Sequence, residues 1–118
     1  IPVCDANGIG LLPYYPIARG LLTGKYQRDA DAPAGSRLAG NAVLAKADFD
    51  RIERLEAYAR DHGHELLTLA MSWLAAQPSI ASIIAGASRP EQMAANAAAV
   101  SWKLTADNLA EIDAIIGA

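Results

Sequence analysis

Residues 83–92 combine residue types that bind anions at the start of a helix. Gly86 lets a ligand approach the backbone closely, because glycine has no side chain. Ser88 stands where a helix N-cap belongs, and Glu91 follows three residues later, which is the spacing of a capping box. Arg89 adds a forked cation where free N–H groups and the helix dipole already favour negative charge. The pattern fits a phosphate clamp, and it also fits a well-capped helix whose arginine is merely solvated.

A second candidate segment, residues 12–26, carries two aromatic residues near its start and a lysine near its end. Tyr14 and Tyr15 could stack on a ring system, and Lys25 could reach a phosphate. The alternative is that the tyrosines plug the mouth of a parallel barrel or pack beneath the loop that follows them. The Gly-Lys pair at residues 24–25 does not make a P-loop. Only three residues separate Gly20 from Gly24, where a P-loop has four, and a tyrosine follows the lysine where a P-loop has serine or threonine.

Other groups of residues carry weaker signals for chemistry. His62 and His64 flank a helix junction without an evident third ligand, so we predict no metal site. Cys4 is the only cysteine, which excludes an internal disulfide, and it has no evident histidine partner. No Ser–His–Asp or paired-carboxylate arrangement offers a general acid. We therefore assign no catalytic residue to this chain.

The elements that position these segments alternate between helices and short apolar runs. We predict strands over about residues 9–14 and 80–85, a long loop over 15–47, and helices over about 48–62, 65–77, 90–98 and 106–116, after a helix end at 1–7. Such alternation is typical of an α/β fold with parallel pairing. Pro13 should end the pairing, since it has no N–H to donate. Two parallel strands cannot bury both faces alone, so we expect a piece of a longer protein.

Composition excludes several classes of protein. Of the 118 residues, 53% are apolar and 19% charged, which predicts a folded domain rather than disorder. The formal charge of −3 argues against nucleic acid or an anionic membrane as a partner. No apolar run reaches the roughly 18 to 20 residues of a membrane span. No signal peptide is visible, so we expect a cytoplasmic protein.

Two motifs resemble parts of one family. Residues 14–26 (YYPIARGLLTGKY) resemble the seventh-strand segment of aldo-keto reductases, particularly their bacterial and potassium-channel-β-like branch. Residues 84–96 (IAGASRPEQMAAN) resemble that family's eighth-strand segment, which holds the adenosine 2′-phosphate of NADP. The resemblance implies that residues 1–118 are the C-terminal, cofactor-binding part of a single (β/α)8 TIM barrel domain: strands 7 and 8, their helices and a closing helix.

The same resemblance implies NADPH-dependent reduction of aldehydes and ketones to alcohols. It places the nicotinamide against the first tyrosine, the pyrophosphate along the residues after it, two basic loop residues over the cofactor, and the adenosine and its 2′-phosphate against the second motif. The implied NADP(H)-binding residues are, in that order, Tyr14; Tyr15, Pro16, Ile17, Ala18 and Gly20; Lys25 and Arg37; and Gly86, Ser88, Arg89, Gln92 and Asn96. Preference for NADP over NAD would rest on Arg89 and Ser88. The family's catalytic Asp, Tyr, Lys and His come from earlier strands, so this chain alone should be inactive.

Two other interpretations stay open. The protein could be a non-catalytic, nucleotide-sensing regulatory subunit of the same fold that binds a partner protein. It could also be a freestanding remnant that self-associates through its open strand edges. For the reductase, the expected partners are a small carbonyl substrate and either the N-terminal part of the barrel or a second copy to cover those edges. Neither nucleic acid nor a membrane is expected.

Overall fold

Helices form most of the regular structure in residues 1–117, the part of the chain that the computed structural model describes. The helices are α1 (Pro2–Asn7), α2 (Ala42–Ala45), α3 (Phe49–Asp61), α4 (Leu66–Ala75), α5 (Pro90–Ala98) and α6 (Ala106–Ile116), with a 3₁₀ segment at Ala18–Thr23. Gly8 ends α1 in the left-handed conformation with φ 63°, as its sequence position predicts. Within the described residues, no helix is long and apolar enough to cross a membrane.

α3 provides one side of the hydrophobic core. Its apolar residues recur at helical spacing, and the Asp48 carboxylate accepts a hydrogen bond from the Arg51 N–H at 3.1 Å to cap its first turn. Ile52, Leu55 and Ala59 are buried, which confirms the predicted apolar stripe. These side chains pack with three residues of the neighbouring helices: Leu66 and Leu69 of α4 and Ile112 of α6.

Threonine is a favoured N-cap residue, so the sequence predicts that the last helix begins at Thr105, and α6 does begin there with a reciprocal cap. The Thr105 hydroxyl accepts a hydrogen bond from the Asn108 N–H at 3.2 Å. The Asn108 side-chain oxygen accepts one from the Thr105 N–H at 3.1 Å. Two N–H groups that the helix cannot pair internally are thereby satisfied.

The two predicted strands are reduced to one parallel bridge between Leu11 and Ile80, in place of strands over residues 9–14 and 80–85. The Leu11 N–H donates to the Ser79 carbonyl at 2.7 Å, and the Ala81 N–H donates to the Leu11 carbonyl at 2.9 Å. Pro13 has no N–H for the next step, so the regular ladder ends there, as predicted, and one irregular hydrogen bond follows it. Within residues 1–117 no other strand lies beside this pair to extend it, and a two-stranded pairing is marginal by itself.

The long loop is ordered by two anchors. Tyr26 and Leu38 are buried, and the Leu38 N–H donates a hydrogen bond to the Tyr26 hydroxyl at 3.2 Å. The polar run at residues 28–31 predicts a solvated loop tip, but Arg28 binds α3. Its guanidinium donates two hydrogen bonds to the Glu53 carboxylate, both at 3.0 Å, and one to Asp50. The i,i+4 spacing of Asp50 and Arg54 predicts an ion pair along α3, but Arg28 reaches the Asp50 carboxylate from the loop instead.

Candidate functional site

The two predicted binding segments leave the paired region at the same end. Beyond the bridge, the Ile84 N–H donates to the Pro13 carbonyl at 3.1 Å. After this hydrogen bond, the first segment continues from Pro13 into Tyr14, and the second continues from Ile84 towards Gly86. Because the pairing is parallel, both segments follow the carboxyl ends of neighbouring extended segments. In barrels of parallel strands, binding loops lie at that end.

The two tyrosines are accessible to a ligand. Tyr14 is 71% exposed and Tyr15 is 46% exposed, so residues 1–117 bury neither ring. Their ring centroids lie 4.4 Å apart at an interplanar angle of 44°, and the Arg19 guanidinium lies 5.1 Å from the Tyr15 centroid. A ring system could therefore find an open aromatic face here.

The backbone after the tyrosines bends through consecutive left-handed conformations. Ala18 has φ 47°, Arg19 has φ 60° and Gly20 has φ 99°. Only glycine adopts such angles without a steric cost, so the alanine and the arginine are strained. The turn is held by the Gly20 N–H, which donates to the Ile17 carbonyl at 2.8 Å, and by the Thr23 hydroxyl, which donates to the Gly20 carbonyl at 2.7 Å. Strained backbone of this kind is concentrated at functional sites.

Lys25 lies against this turn, whereas Arg37 does not. A Cβ at Gly20 would lie 3.1 Å from the Lys25 ammonium, so the lysine packs closely against this glycine and would have to shift slightly for any larger residue. The ammonium also lies 5.1 Å from the Tyr26 ring centroid. Burial alone would raise the pKa of Tyr26, but hydrogen bonding around its oxygen and the Lys25 charge lower that pKa overall. Arg37 is exposed, and none of the ion pairs within residues 1–117 includes it.

The start of α5 corrects the predicted capping box. The N-cap is Arg89 rather than Ser88, and no side chain caps the helix from that position. Pro90 sets φ for the first helical position, so the helix begins one residue later than the serine requires. Gln92 reaches back instead, and its side-chain oxygen accepts hydrogen bonds from the Ser88 N–H at 2.9 Å and the Ser88 hydroxyl at 3.1 Å. A glutamine three residues after the true N-cap was the signal for this arrangement.

The residues predicted to bind the adenosine and its 2′-phosphate differ in their exposure and in how many of their hydrogen-bonding groups are already used. Arg89 is exposed and belongs to no ion pair of the described chain, so its guanidinium can meet an anion. The Ser88 hydroxyl already donates to Gln92, but its oxygen can still accept a hydrogen bond. Asn96 is only 8% exposed and lies two turns after Arg89 on the same helix. The described residues leave Gly86 exposed with open space around its Cα.

These residues lie on an open surface. The structure has a concavity of about 280 Å³ beside α1 and one of about 670 Å³ beneath the long loop, and none of the predicted cofactor residues lines either of them. A nucleotide bound along the two segments would therefore be covered only on one side by residues 1–117.

Sequence reasoning missed one buried polar residue, Ser72 of α4. Its hydroxyl donates to the Ala99 carbonyl at 3.0 Å and accepts a hydrogen bond from the Trp102 N–H at 3.2 Å. The signal was a serine in the middle of an otherwise apolar helix, where a buried hydroxyl needs partners outside that helix.

The chain is similar in sequence to reductases and to a potassium channel subunit beta. The L-glyceraldehyde 3-phosphate reductase of Escherichia coli K12 is 32% identical over 115 residues, which cover 91% of this chain and 33% of that protein. A probable voltage-gated potassium channel subunit beta of Arabidopsis thaliana is 36% identical over 107 residues, 85% of this chain and 32% of that protein. The NADH-specific methylglyoxal reductase of Escherichia coli K12 is 34% identical over 110 residues, 89% of this chain and 33% of that protein. The chain thus spans about a third of the length of these relatives.

Solved structures of two oxidoreductases also match this chain over about a third of their length. A glycerol dehydrogenase from Gluconobacter oxydans superposes with a TM-score of 0.74 at 26% identity, covering 98% of this chain and 36% of that one. An aldo-keto reductase from Bacillus halodurans superposes with a TM-score of 0.71 at 25% identity, covering 98% of this chain and 37% of that one. The fold is the predicted C-terminal part of a (β/α)8 barrel. The Aldo/keto reductase family model matches residues 1–117, and the chain belongs to that family.

Proposed function

We propose that the protein containing this chain reduces aldehydes and ketones to alcohols with NADPH, and that this chain supplies the NADP(H)-binding segment. The observation that carries the proposal is the hydrogen bond from Ile84 to Pro13. It supports the proposal because the tyrosine pair directly follows Pro13, and the segment that leads to Arg89 directly follows Ile84. Reductases among the relatives support the reaction class.

The residues present suit a dinucleotide. Tyr14 offers an exposed ring for a planar base, and Lys25 brings a cation beside the turn at Gly20. Arg89 offers a second, forked cation that suits a phosphate. A dinucleotide has a ring system at each end and phosphates between, so aromatic and cationic groups in this order complement it.

The work of this chain would be binding and orientation. When bound, NADPH supplies the hydride that reduces the carbonyl carbon. Tyr14 would hold the nicotinamide, and the strained turn at residues 17–20 would follow the pyrophosphate. Gln92 and Asn96 would hold the adenosine. We assign the proton donor and the other catalytic residues to earlier strands, outside this chain.

The preference for NADP over NAD is proposed to rest on Arg89 and the neighbouring Ser88. One relative is named an NADH-specific reductase, so family membership does not fix the choice of cofactor. NADPH differs from NADH by its 2′-phosphate, a group that an exposed guanidinium binds with charge-assisted hydrogen bonds.

The open edge beside Leu11 needs a cover in the whole protein. Ile9, Leu12 and Ile84 are 51%, 58% and 52% exposed, although each is a large apolar residue. We propose that the preceding part of the barrel covers this edge, or that a second copy does so. The cytoplasmic location also remains a prediction.

The test uses the full-length protein that contains this chain. Oxidation of NADPH would be followed by absorbance with a panel of small aldehydes and ketones, with NADH in parallel. Turnover that is faster with NADPH supports the proposal. Absence of both binding and turnover would contradict it.

The runner-up is a regulatory subunit that binds a nucleotide without turning over a substrate. It is favoured by the 36% identity to a probable potassium channel subunit beta. NADPH binding without reduction of any carbonyl compound, in a protein whose earlier strands lack the Asp, Tyr, Lys and His set, would support this alternative.

A further inference from the structure

Ser72 joins two backbone groups that lie outside its own helix. The residue is 2% exposed and sits in the middle of α4. A helical serine commonly bonds the carbonyl one turn earlier, but this hydroxyl donates to the Ala99 carbonyl and receives the Trp102 N–H. One side chain therefore fixes the backbone at both ends of the Ala99–Trp102 connection.

This connection begins where α5 ends. Ala99 is the C-cap of α5 and is 3% exposed, and Asn96 lies three residues earlier at 8% exposed. Residues three apart share a helix face, so both are buried on the same side of α5. The Ser72 bond thus holds the last turn of α5 in the orientation that buries Asn96.

A second contact fixes the same connection through its side chain. The Trp102 ring stacks on His64 with centroids 4.3 Å apart, and it lies 5.4 Å from the His62 ring. The two histidines flank the junction of α3 and α4. Since the backbone and the ring of Trp102 are both held, the carboxyl end of α5 has little freedom to shift.

A change at the carboxyl end of α5 also moves its amino end. The helix has nine residues and is roughly 13 Å long, which makes it a short rigid rod. A tilt at Ala99 therefore displaces Gln92 and Arg89 as well as Asn96. All three belong to the segment assigned to the nucleotide.

We propose that Ser72 is a positioning residue for the cofactor. It would not touch the nucleotide, but would hold α5 at the tilt and depth at which Gln92, Asn96 and Arg89 reach the adenosine and its 2′-phosphate. This inference rests on the proposed function.

The test compares Ser72→Ala with Ser101→Ala in the full-length protein. Ser101 is an exposed serine of the same connection, so its loss controls for a change in composition. Dissociation constants for NADPH and NADH would be measured by fluorescence titration, and hydrogen exchange would follow the amides of α5 and Trp102. In Ser72→Ala we expect both constants to rise about tenfold, equivalent to about 1.4 kcal/mol, with faster exchange in α5.

A separate readout distinguishes positioning from general damage. At saturating NADPH, kcat of Ser72→Ala should stay within about twofold of the unsubstituted protein, because binding rather than chemistry is affected. Ser72→Thr keeps a hydroxyl and should restore most of the affinity. If Ser72→Ala does not fold, Ser72→Cys, whose thiol is a weaker hydrogen-bonding group, takes its place with a smaller expected loss.

Unchanged dissociation constants together with faster exchange in α5 would overturn the proposal, since Ser72 would then be structural only. If the unsubstituted protein bound neither nucleotide, the proposed function and this inference would fall together. If it bound NADPH and Ser72→Ala bound it equally well, only this inference would fall.

Discussion

The Pro13 carbonyl accepts its hydrogen bond from Ile84 rather than from Ile83, at 3.1 Å. In a regular parallel ladder, the donor after Ala81 would be two residues further, at Ile83. The pairing therefore ends on an irregular step, directly before both binding segments begin. The same irregular step sets where Tyr14 starts relative to Gly86.

Removing the Arg89 guanidinium should change cofactor preference. In the full-length protein, Arg89→Ala should weaken NADPH binding roughly 10- to 150-fold, because a charge-assisted hydrogen bond contributes about 1.5 to 3 kcal/mol. NADH, which has no 2′-phosphate, should lose much less. Fluorescence titration with both nucleotides measures the difference. Arg54→Ala is the matched control, since Arg54 is exposed on α3 and none of the ion pairs in residues 1–117 includes it. Equal losses for the two nucleotides would contradict the assignment.

Removing the Tyr26 hydroxyl should loosen the long loop. In Tyr26→Phe the buried Leu38 N–H loses its acceptor, which costs about 1 to 3 kcal/mol of the free energy of unfolding. Denaturant unfolding measures this loss, and limited proteolysis between residues 27 and 37 should become faster. Tyr14→Phe removes a hydroxyl from a 71% exposed side chain and should leave stability unchanged. A comparable loss in both variants would argue against the Tyr26–Leu38 anchor.

The ion pair between Arg28 and Glu53 should make the loop anchor sensitive to acid. Hydrogen bonding to Arg28, opposed by slight burial, lowers the pKa of Glu53 below its ordinary 4.5. A carboxylate with a lowered pKa in the folded state adds stability above pH 4.5, and that contribution is lost as pH falls through the lower, folded-state value. The difference in denaturation midpoint between the unsubstituted protein and Glu53→Gln should therefore shrink as the pH falls below 4.5. Glu56→Gln, an exposed acid on the same helix, is the control. A difference that stayed constant with pH would show that the pair does not act through charge.

The cap of α6 should contribute to stability as one unit. Thr105→Ala should cost about 1 kcal/mol of unfolding free energy, since it removes the acceptor for the Asn108 N–H. Thr105→Ser keeps the acceptor and should cost much less. The double variant Thr105→Ala/Asn108→Ala should lose less than the sum of the two single losses, because both side chains serve the same cap. Additive losses in thermal or denaturant unfolding would mean that the two hydrogen bonds act independently.

The sequence by itself indicated the longer helices and their ends to within about two residues, but not the short helix at Ala42–Ala45, which lies inside the predicted loop. Helical hydrogen bonds join residues four apart, so apolar spacing and capping residues carry the signal locally. The buried stripe of α3, the left-handed Gly8, the end of pairing at Pro13 and the Thr105 cap all follow from residues near them in the chain. The two motifs after the apolar runs were also enough to indicate the family, which the family model bears out.

The tertiary structure decided what depends on partners distant in sequence. Extended segments form a sheet only beside other strands, and residues 1–117 give Leu11 and Ile80 only each other, so a single bridge remains of the two predicted strands. Arg28 binds α3 rather than solvent because folding brings Glu53, 25 residues away, to the loop. Ser72 meets the end of α5 across 27 residues for the same reason. Local patterns specify elements, whereas the contacts that orient a binding site form only when those elements pack together.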